Sequence, residues 1–334
     1  MAKISKQKPV EELQEHNFRQ WDNLIRFIRE GRIVPIIGSD FIVDDVDYPD
    51  THNATSILLS ELAEYYEKQG PYNSFSELYF DLSDGDRRDF YNTLGQIFED
   101  GFRLQPSVVL IDLLRVLKQC DCPFVITTSI TPVVEQAMRE VFGDVKVMTF
   151  CNNPQMNDDV KFKDEFQRPT VYYMFGKINR SEKTYVITDT DMLSFCKSWL
   201  TEGDKRPSLL TSILRDKYPL FVGNNYSDWL CRFIWFSIKE SFDSNPGMLV
   251  HDKAEESLLK FLKRIDAFTQ KDVAFVTKEI SRLLEEQSST LSDPHFSSVK
   301  TDMDVFISYS RSDKEVAEKL YQALRAEGPH SVAS

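Results

Sequence analysis

No stretch of the 334-residue chain approaches about 18 consecutive uncharged apolar residues, the length that spans a bilayer as a helix. The opening "MAKISKQKPVEELQEH" has no apolar segment of the signal-peptide kind. The expectation is a cytoplasmic protein without a membrane partner. Cationic clustering is missing too. Lys and Arg number 40 against 53 Asp and Glu, the formal net charge is −13, and no basic stripe stands out. Phosphate-backbone binding draws on clustered cations, so nucleic acid is not an expected partner. Cysteine is scarce: Cys120, Cys122, Cys151, Cys196 and Cys231. Most lie in apolar contexts, where a free thiol behaves as a small hydrophobe. Only "CDC" at 120–122 has a chelating look, and no second Cys/His pair stands at zinc-site spacing, so neither a metal nor a disulfide framework is expected. There is no internal repeat.

What is present is a core. Apolar residues make up 41% of the chain and Phe occurs 24 times, ample for one large or two medium domains. Phe18, Trp21, Ile25 and Ile28 fall at helical spacing within 17–30, and Gly31 fits a helix stop. "RIVPIIG" at 32–38 has the continuous apolar character of a buried parallel strand. Residues 54–118 read as a mostly helical insertion. "PFVITTS" at 123–129 is a second buried strand, with Thr131 and Pro132 as N-cap and first residue of the helix that Gly143 closes. Further strands are expected at 145–150, 170–176, 184–188 and 219–223. Helices are expected near 190–200, 207–216, 227–241, 253–265 and 270–286. Strands alternating with helices predict an α/β fold: a Rossmann-like parallel sheet with helices on both faces. The domain reading is a tail at 1–16, a body at 17–286, a Ser/Thr-rich linker at 287–303, and a separate segment at 304–334.

In such a sheet, ligands lie beyond the carboxyl ends of the strands. Those ends read "IIGSDF" (36–41), "ITTSIT" (126–131) and "FVGNNYSD" (221–228), joined by "YYMFGKI" at 172–178. In order and spacing these motifs resemble the SIR2-like, sirtuin-related NAD-processing domain of bacterial defence and signalling proteins, over roughly 15–285. The resemblance implies a pocket lined by Gly38, Ser39, Asp40, Thr128, Gly223 and Asn224, with NAD+ or ADP-ribose as the small-molecule substrate or ligand. It also exposes departures. A Gly-Ala-Gly loop in the family is Gly38-Ser39-Asp40 here, and a carboxylate there either repels phosphates or points to solvent or caps the next turn. The family's Thr-Thr-Asn is Thr127-Thr128-Ser129, and Ser129 offers no amide to orient a water. The family's catalytic His-Gly step is Phe175-Gly176, and a Phe ring forfeits the 10²–10⁴-fold that a general base contributes. Of the other histidines (His16, His52, His251, His295 and His330) none falls at an expected strand end, and His52 is the nearest to one. The resemblance therefore implies a sirtuin-like fold degenerate at Ser129 and Phe175, with no catalytic residue and no required cofactor. "GNNYSDW" has a second reading, in which Ser227 caps a helix that buries Trp229 and Phe233.

Residues 304–328, "DVFISYSRSDKEVAEKLYQALRAEG", contain a short apolar strand, a capping box from Ser312 to Glu315, and Val316, Leu320 and Leu324 on one helix face. The stretch resembles the first box of TIR domains and implies the start of a flavodoxin-like segment. It is incomplete here, since the family's catalytic Glu lies on a later helix. Three functions follow as expectations. The first is an inactive SIR2-like sensor or oligomerisation module of a TIR-bearing anti-phage immune protein, self-associating into a homo-oligomer or filament so that complete TIR domains cleave NAD+. The second is a SIR2-like NAD+ hydrolase using non-standard residues. The third is a nucleotide-binding module alone.

Overall fold

The structure, a computed structural model, describes residues 10–44, 53–99, 103–150, 168–179, 185–200, 210, 214–215, 217–224, 228–239, 247–251, 254–265 and 267–291. The chain divides into two compact units, Met1–Glu285 and Glu286–Ser334. The linker and TIR-like segment lie outside the described residues, apart from the end of one helix that reaches Leu291.

Seven strands form one parallel sheet: β1 (Ile33–Ile37), β2 (Phe124–Thr127), β3 (Lys146–Thr149), β4 (Thr170–Tyr173), β5 (Tyr218–Val222), β6 (Met248–Val250) and β7 (Phe268–Gln270). Their order is β3-β4-β2-β1-β5-β6-β7, and every pairing is parallel. From β1 the chain first builds outward through β2 to the β3 edge. It then returns and builds the other way from β5. The switch point of this Rossmann-like sheet is thus the gap between the carboxyl ends of β1 and β5.

Side-chain alternation sends each strand's residues into two separate cores. Val34, Ile36, Phe124, Ile126, Tyr172 and Phe221 enter one core. Ile33, Ile37, Val125, Val171, Tyr173 and Leu220 enter the other. Burial on both faces is why these strands read as continuous apolar runs. The helices α1 (Val10–Arg29), α5 (Val108–Gln119), α6 (Val133–Phe142) and α10 (Val273–Leu291) cover the second core. The first core is covered by α3 (Phe75–Asp81), α4 (Asp84–Glu99), α7 (Asp189–Leu200), α8 (Asp228–Lys239) and α9 (Glu256–Arg264). Helix α2 (Ala54–Tyr65) contributes to both. The insertion between β1 and β2 is the four helices α2 to α5.

Several expected elements differ. Helix α1 begins at Val10, ahead of position 17. Strands β6 and β7 are new; three residues each are too short to show a period, although "DSNPG" at 243–247 is a turn signal just ahead of β6. Residues 185–188 form no strand. Tyr185 and Val186 are buried apolar loop residues, and the Val186 N–H reaches Phe175 O at 2.8 Å. Helix α6 starts at Val133 with Pro132 at the N-cap and no side-chain cap. Thr131 is occupied elsewhere, its Oγ1 lying 2.8 Å from Ser129 Oγ. On α8, Trp229 is 51% exposed and not in the core, while Leu230, Cys231, Ile234 and Trp235 are buried. Ser227 and Cys151 lie outside the described residues, as does most of 207–216.

Candidate functional site

The loop after β1 runs directly along the loop after β5. The Gly38 N–H donates to Val222 O at 2.9 Å and the Asp40 N–H to Gly223 O at 3.0 Å, continuing the sheet past its edge. That approach requires both glycines. A Cβ on Gly38 would stand 2.0 Å from Gly223 O, and one on Gly223, whose φ is +61°, would stand 2.4 Å from the Phe41 ring. Here the glycines admit a neighbouring backbone.

The far side of the β1 loop is equally tied. Ser39 O accepts from the Ala54 N–H, and Ile42 O from the Ser107 N–H, each at 2.9 Å. Ser107 Oγ donates to Phe41 O at 2.5 Å while accepting the Leu110 N–H as the N-cap of α5. Phe41 itself sits at φ 58°, a left-handed conformation that a bulky side chain adopts at a cost of about 1–2 kcal/mol. The surrounding hydrogen bonds hold it there.

Asp40 neither points freely to solvent nor caps the next helix. Asn53 is the N-cap of α2, its Oδ1 accepting the Ser56 N–H at 2.9 Å. The same Asn53 donates through Nδ2 to Asp40 Oδ1. The other carboxylate oxygen, Oδ2, lies 3.0 Å from His251 Nε2. A carboxylate only accepts, so Nε2 carries the proton. The His251 side chain is 5% exposed and that of Asp40 21%. His251 directly follows β6, so one histidine does stand at a strand end. Sequence reading passed over it because β6 itself went unseen; the apolar "MLV" before it was the available signal. His52 lies outside the described residues.

Others of the residues expected to line a pocket form a buried polar network. Asn224 Nδ2 donates to Ile36 O at 2.7 Å and Val222 O at 3.2 Å, and Asn224 Oδ1 accepts from Thr128 Oγ1 at 3.0 Å. Thr127 Oγ1 donates to Ile37 O at 3.0 Å and accepts the Ser129 N–H at 3.1 Å. Thus Thr127, Thr128 and Asn224 fasten the ends of β1, β2 and β5 together. Gly38, Ser39, Asp40, Thr128, Gly223 and Asn224 do converge at the switch point.

The side chains of Ser129 and Phe175 take no part in that knot. Ser129 is buried and its Oγ closes on Thr131. Phe175 is 5% exposed and meets Phe195 edge-to-face at 5.0 Å. Phe195 in turn packs on Phe150 and Trp199, giving an aromatic cluster where a proton-transfer group was sought. Just beyond, Lys177 Nζ lies 2.6 Å from Glu135 Oε2, and the Tyr173 hydroxyl donates to the same oxygen at 3.2 Å. Burial alone would raise the Glu135 carboxyl. Lys177, Arg139 and Tyr173 overcome it and hold the group below its ordinary value. Burial and the adjacent Glu135 charge push the Tyr173 phenol far up. Burial pushes the Cys120 thiol up to about 11 and the Cys122 thiol up to about 12, which disfavours the reactive thiolate at both.

Comparison with known proteins gives three findings. A structure described as "Structural Basis for the Mechanism and Regulation of Sir2 Enzymes" aligns over 81% of this chain and 98% of its own, at 10% identity and a TM-score of 0.40. No curated protein matches the chain. The family model described as "SIR2-like domain" matches residues 123–268, from the start of β2 to β7. Residues 123–268 are thus similar to the SIR2-like domain family.

Proposed function

We propose that the SIR2-like body is a non-hydrolysing nucleotide sensor that self-associates, within an anti-phage protein whose complete TIR domain cleaves NAD+ once copies cluster. The observation that carries the non-hydrolysing part is Phe175. It occupies the step where the family's resemblance places an acid–base histidine, and its ring, packed against Phe195, has no group that gives or takes a proton. Ser129 supports the same reading, because its hydroxyl is committed to Thr131. The TIR role rests on the sequence box at 304–328, and the homo-oligomer on the need of such domains for neighbouring copies.

The test incubates the chain with NAD+ and follows nicotinamide release by chromatography, beside a version extended through a complete TIR domain. Mass photometry with and without NAD+ or ADP-ribose reads the assembly. The expected result is no release from this chain, release from the extended form, and oligomers. Strictly monomeric protein under every ligand condition, or steady turnover by this chain, overturns the proposal.

A second reading has one observation in its favour. His251 and Asp40 form a hydrogen-bonded pair at the carboxyl edge of the sheet, with the carboxylate fixing the imidazole tautomer as in many acid–base dyads. On this reading the chain hydrolyses NAD+ by a route that does not use position 175. Turnover abolished by His251→Ala but retained in Ser129→Ala selects it over the first.

A further inference from the structure

We infer that Asp40 is a built-in occupant of an anion site: its carboxylate takes the place of a ligand's phosphate and holds the switch-point crevice shut. This deepens the reading of the body as a nucleotide sensor and rests on it.

Two side-chain donors from distant parts of the chain converge on one carboxylate. Asn53 Nδ2 comes from the N-cap of α2, and His251 Nε2 comes from the end of β6. Each oxygen of Asp40 takes one of them. The α2 N-terminus, whose dipole favours an anion, lies at the same point. The spot is the carboxyl edge of β1 beside β5, where the chain reverses its direction of building and where such sheets place their ligands. A planar carboxylate held by an imidazole N–H and an amide N–H uses the same donors that would hold a phosphoryl oxygen. His251 is buried and Asn53 partly buried, so water competes weakly for these donors.

The Asp40 backbone does not supply this site, because its N–H is spent on Gly223 O. The side chain alone is the plug. Removing it leaves the loop tied through Gly38, Ser39, Phe41 and Ile42, so the donors stay where they are. An entering pyrophosphate must displace the carboxylate or suffer its charge. The ligand class is therefore a phosphate or pyrophosphate, carried free or on a nucleotide, and admission is set by whether Asp40 can be moved aside.

Isothermal titration calorimetry tests this with inorganic pyrophosphate, ADP-ribose and adenosine on wild type, Asp40→Gly, Asp40→Asn and Asp40→Gly/His251→Ala. Asp40→Gly is expected to bind pyrophosphate and ADP-ribose at least about tenfold more tightly than wild type, a gain of 1.4 kcal/mol. The double variant loses that gain, and adenosine is unaffected. A gain for ADP-ribose but not pyrophosphate assigns the site to the nucleotide-borne group and supports the inference equally. Should Asp40→Gly not fold, Asp40→Asn keeps the volume without the charge, and it also binds more tightly than wild type. Folded variants with wild-type affinity for both anions overturn the inference, as does a gain that survives His251→Ala. ADP-ribose holds no nicotinamide, so this outcome is independent of whether wild type releases nicotinamide from NAD+, which bears only on the sensor reading.

Discussion

Replacing Asn224 by Asp changes one atom type and almost no volume, and it separates a structural amide from a ligand contact. In the folded protein Nδ2 stands 2.7 Å from Ile36 O and 3.2 Å from Val222 O, and the residue is 5% exposed. Aspartate turns this double donor into an oxygen facing two carbonyl oxygens. Losing two hydrogen bonds costs about 1 kcal/mol each, and burying an acid oxygen against two carbonyl oxygens adds about 1–3 kcal/mol more. The total is about 3–5 kcal/mol, which for a body of this size lowers the melting temperature by roughly 10 °C. The donation from Thr128 Oγ1 to Oδ1 is retained. The pH dependence has a definite sign. Burial against carbonyls raises the folded-state pKa of the new acid above its unfolded value of about 3.9, so the folded state holds the proton more tightly. The deficit relative to wild type is full at pH 7 and shrinks as pH falls through the raised folded value, where the acid O–H can again donate to Ile36 O. Scanning calorimetry from pH 4 to pH 7.5 reads both effects. A melting temperature within about 2 °C of wild type at pH 7 would refute the reasoning, because it would leave the amide facing an open crevice.

Three further outcomes follow from the same geometry. Phe175→His does not create NAD+ cleavage and costs about 1–3 kcal/mol, since an imidazole cannot find partners inside the Phe150–Phe195–Trp199 cluster; nicotinamide release and urea unfolding check the two halves. Lys177→Met lowers stability at pH 7 by about 1–2 kcal/mol, because Glu135 keeps Arg139 and Tyr173 but loses its closest cation. The stability that the depressed Glu135 pKa contributes is present above its unfolded value of 4.5 and is lost as pH falls through the lower folded value, so the gap between variant and wild type closes on acidification. Gly38→Ala forces a methyl to 2.0 Å from Gly223 O, parting the β1 and β5 loops; amide hydrogen exchange at residues 38–41 and 221–224 rises, and unchanged exchange counts against the shared-loop geometry.

The strands buried on both faces were legible because their apolar runs need no partner to be recognised. Val34, Ile36, Val125 and Phe221 declare a covered sheet whatever lies above it. The helical insertion, the glycine stops at Gly31 and Gly143, and the convergence of the three strand-end motifs were legible for similar local reasons. Strands β6 and β7 were not, because three residues carry no usable period and their identity comes from pairing with β5 and with each other. With β6 went His251, and with His251 went the partner of Asp40.

The residue order alone determined that this chain builds a parallel α/β sheet and that positions 129 and 175 hold a serine and a phenylalanine, the latter with no group that gives or takes a proton. Only the tertiary structure decided what the other motif residues do. Asp40 and His251 are separated by more than two hundred positions, and Thr128 and Asn224 by nearly a hundred. A hydrogen bond between them depends on strand order, which places β1 between β2 and β5. Local sequence sets propensity and periodicity, but strand order arises from how the whole chain packs its two cores, and no window of sequence contains it.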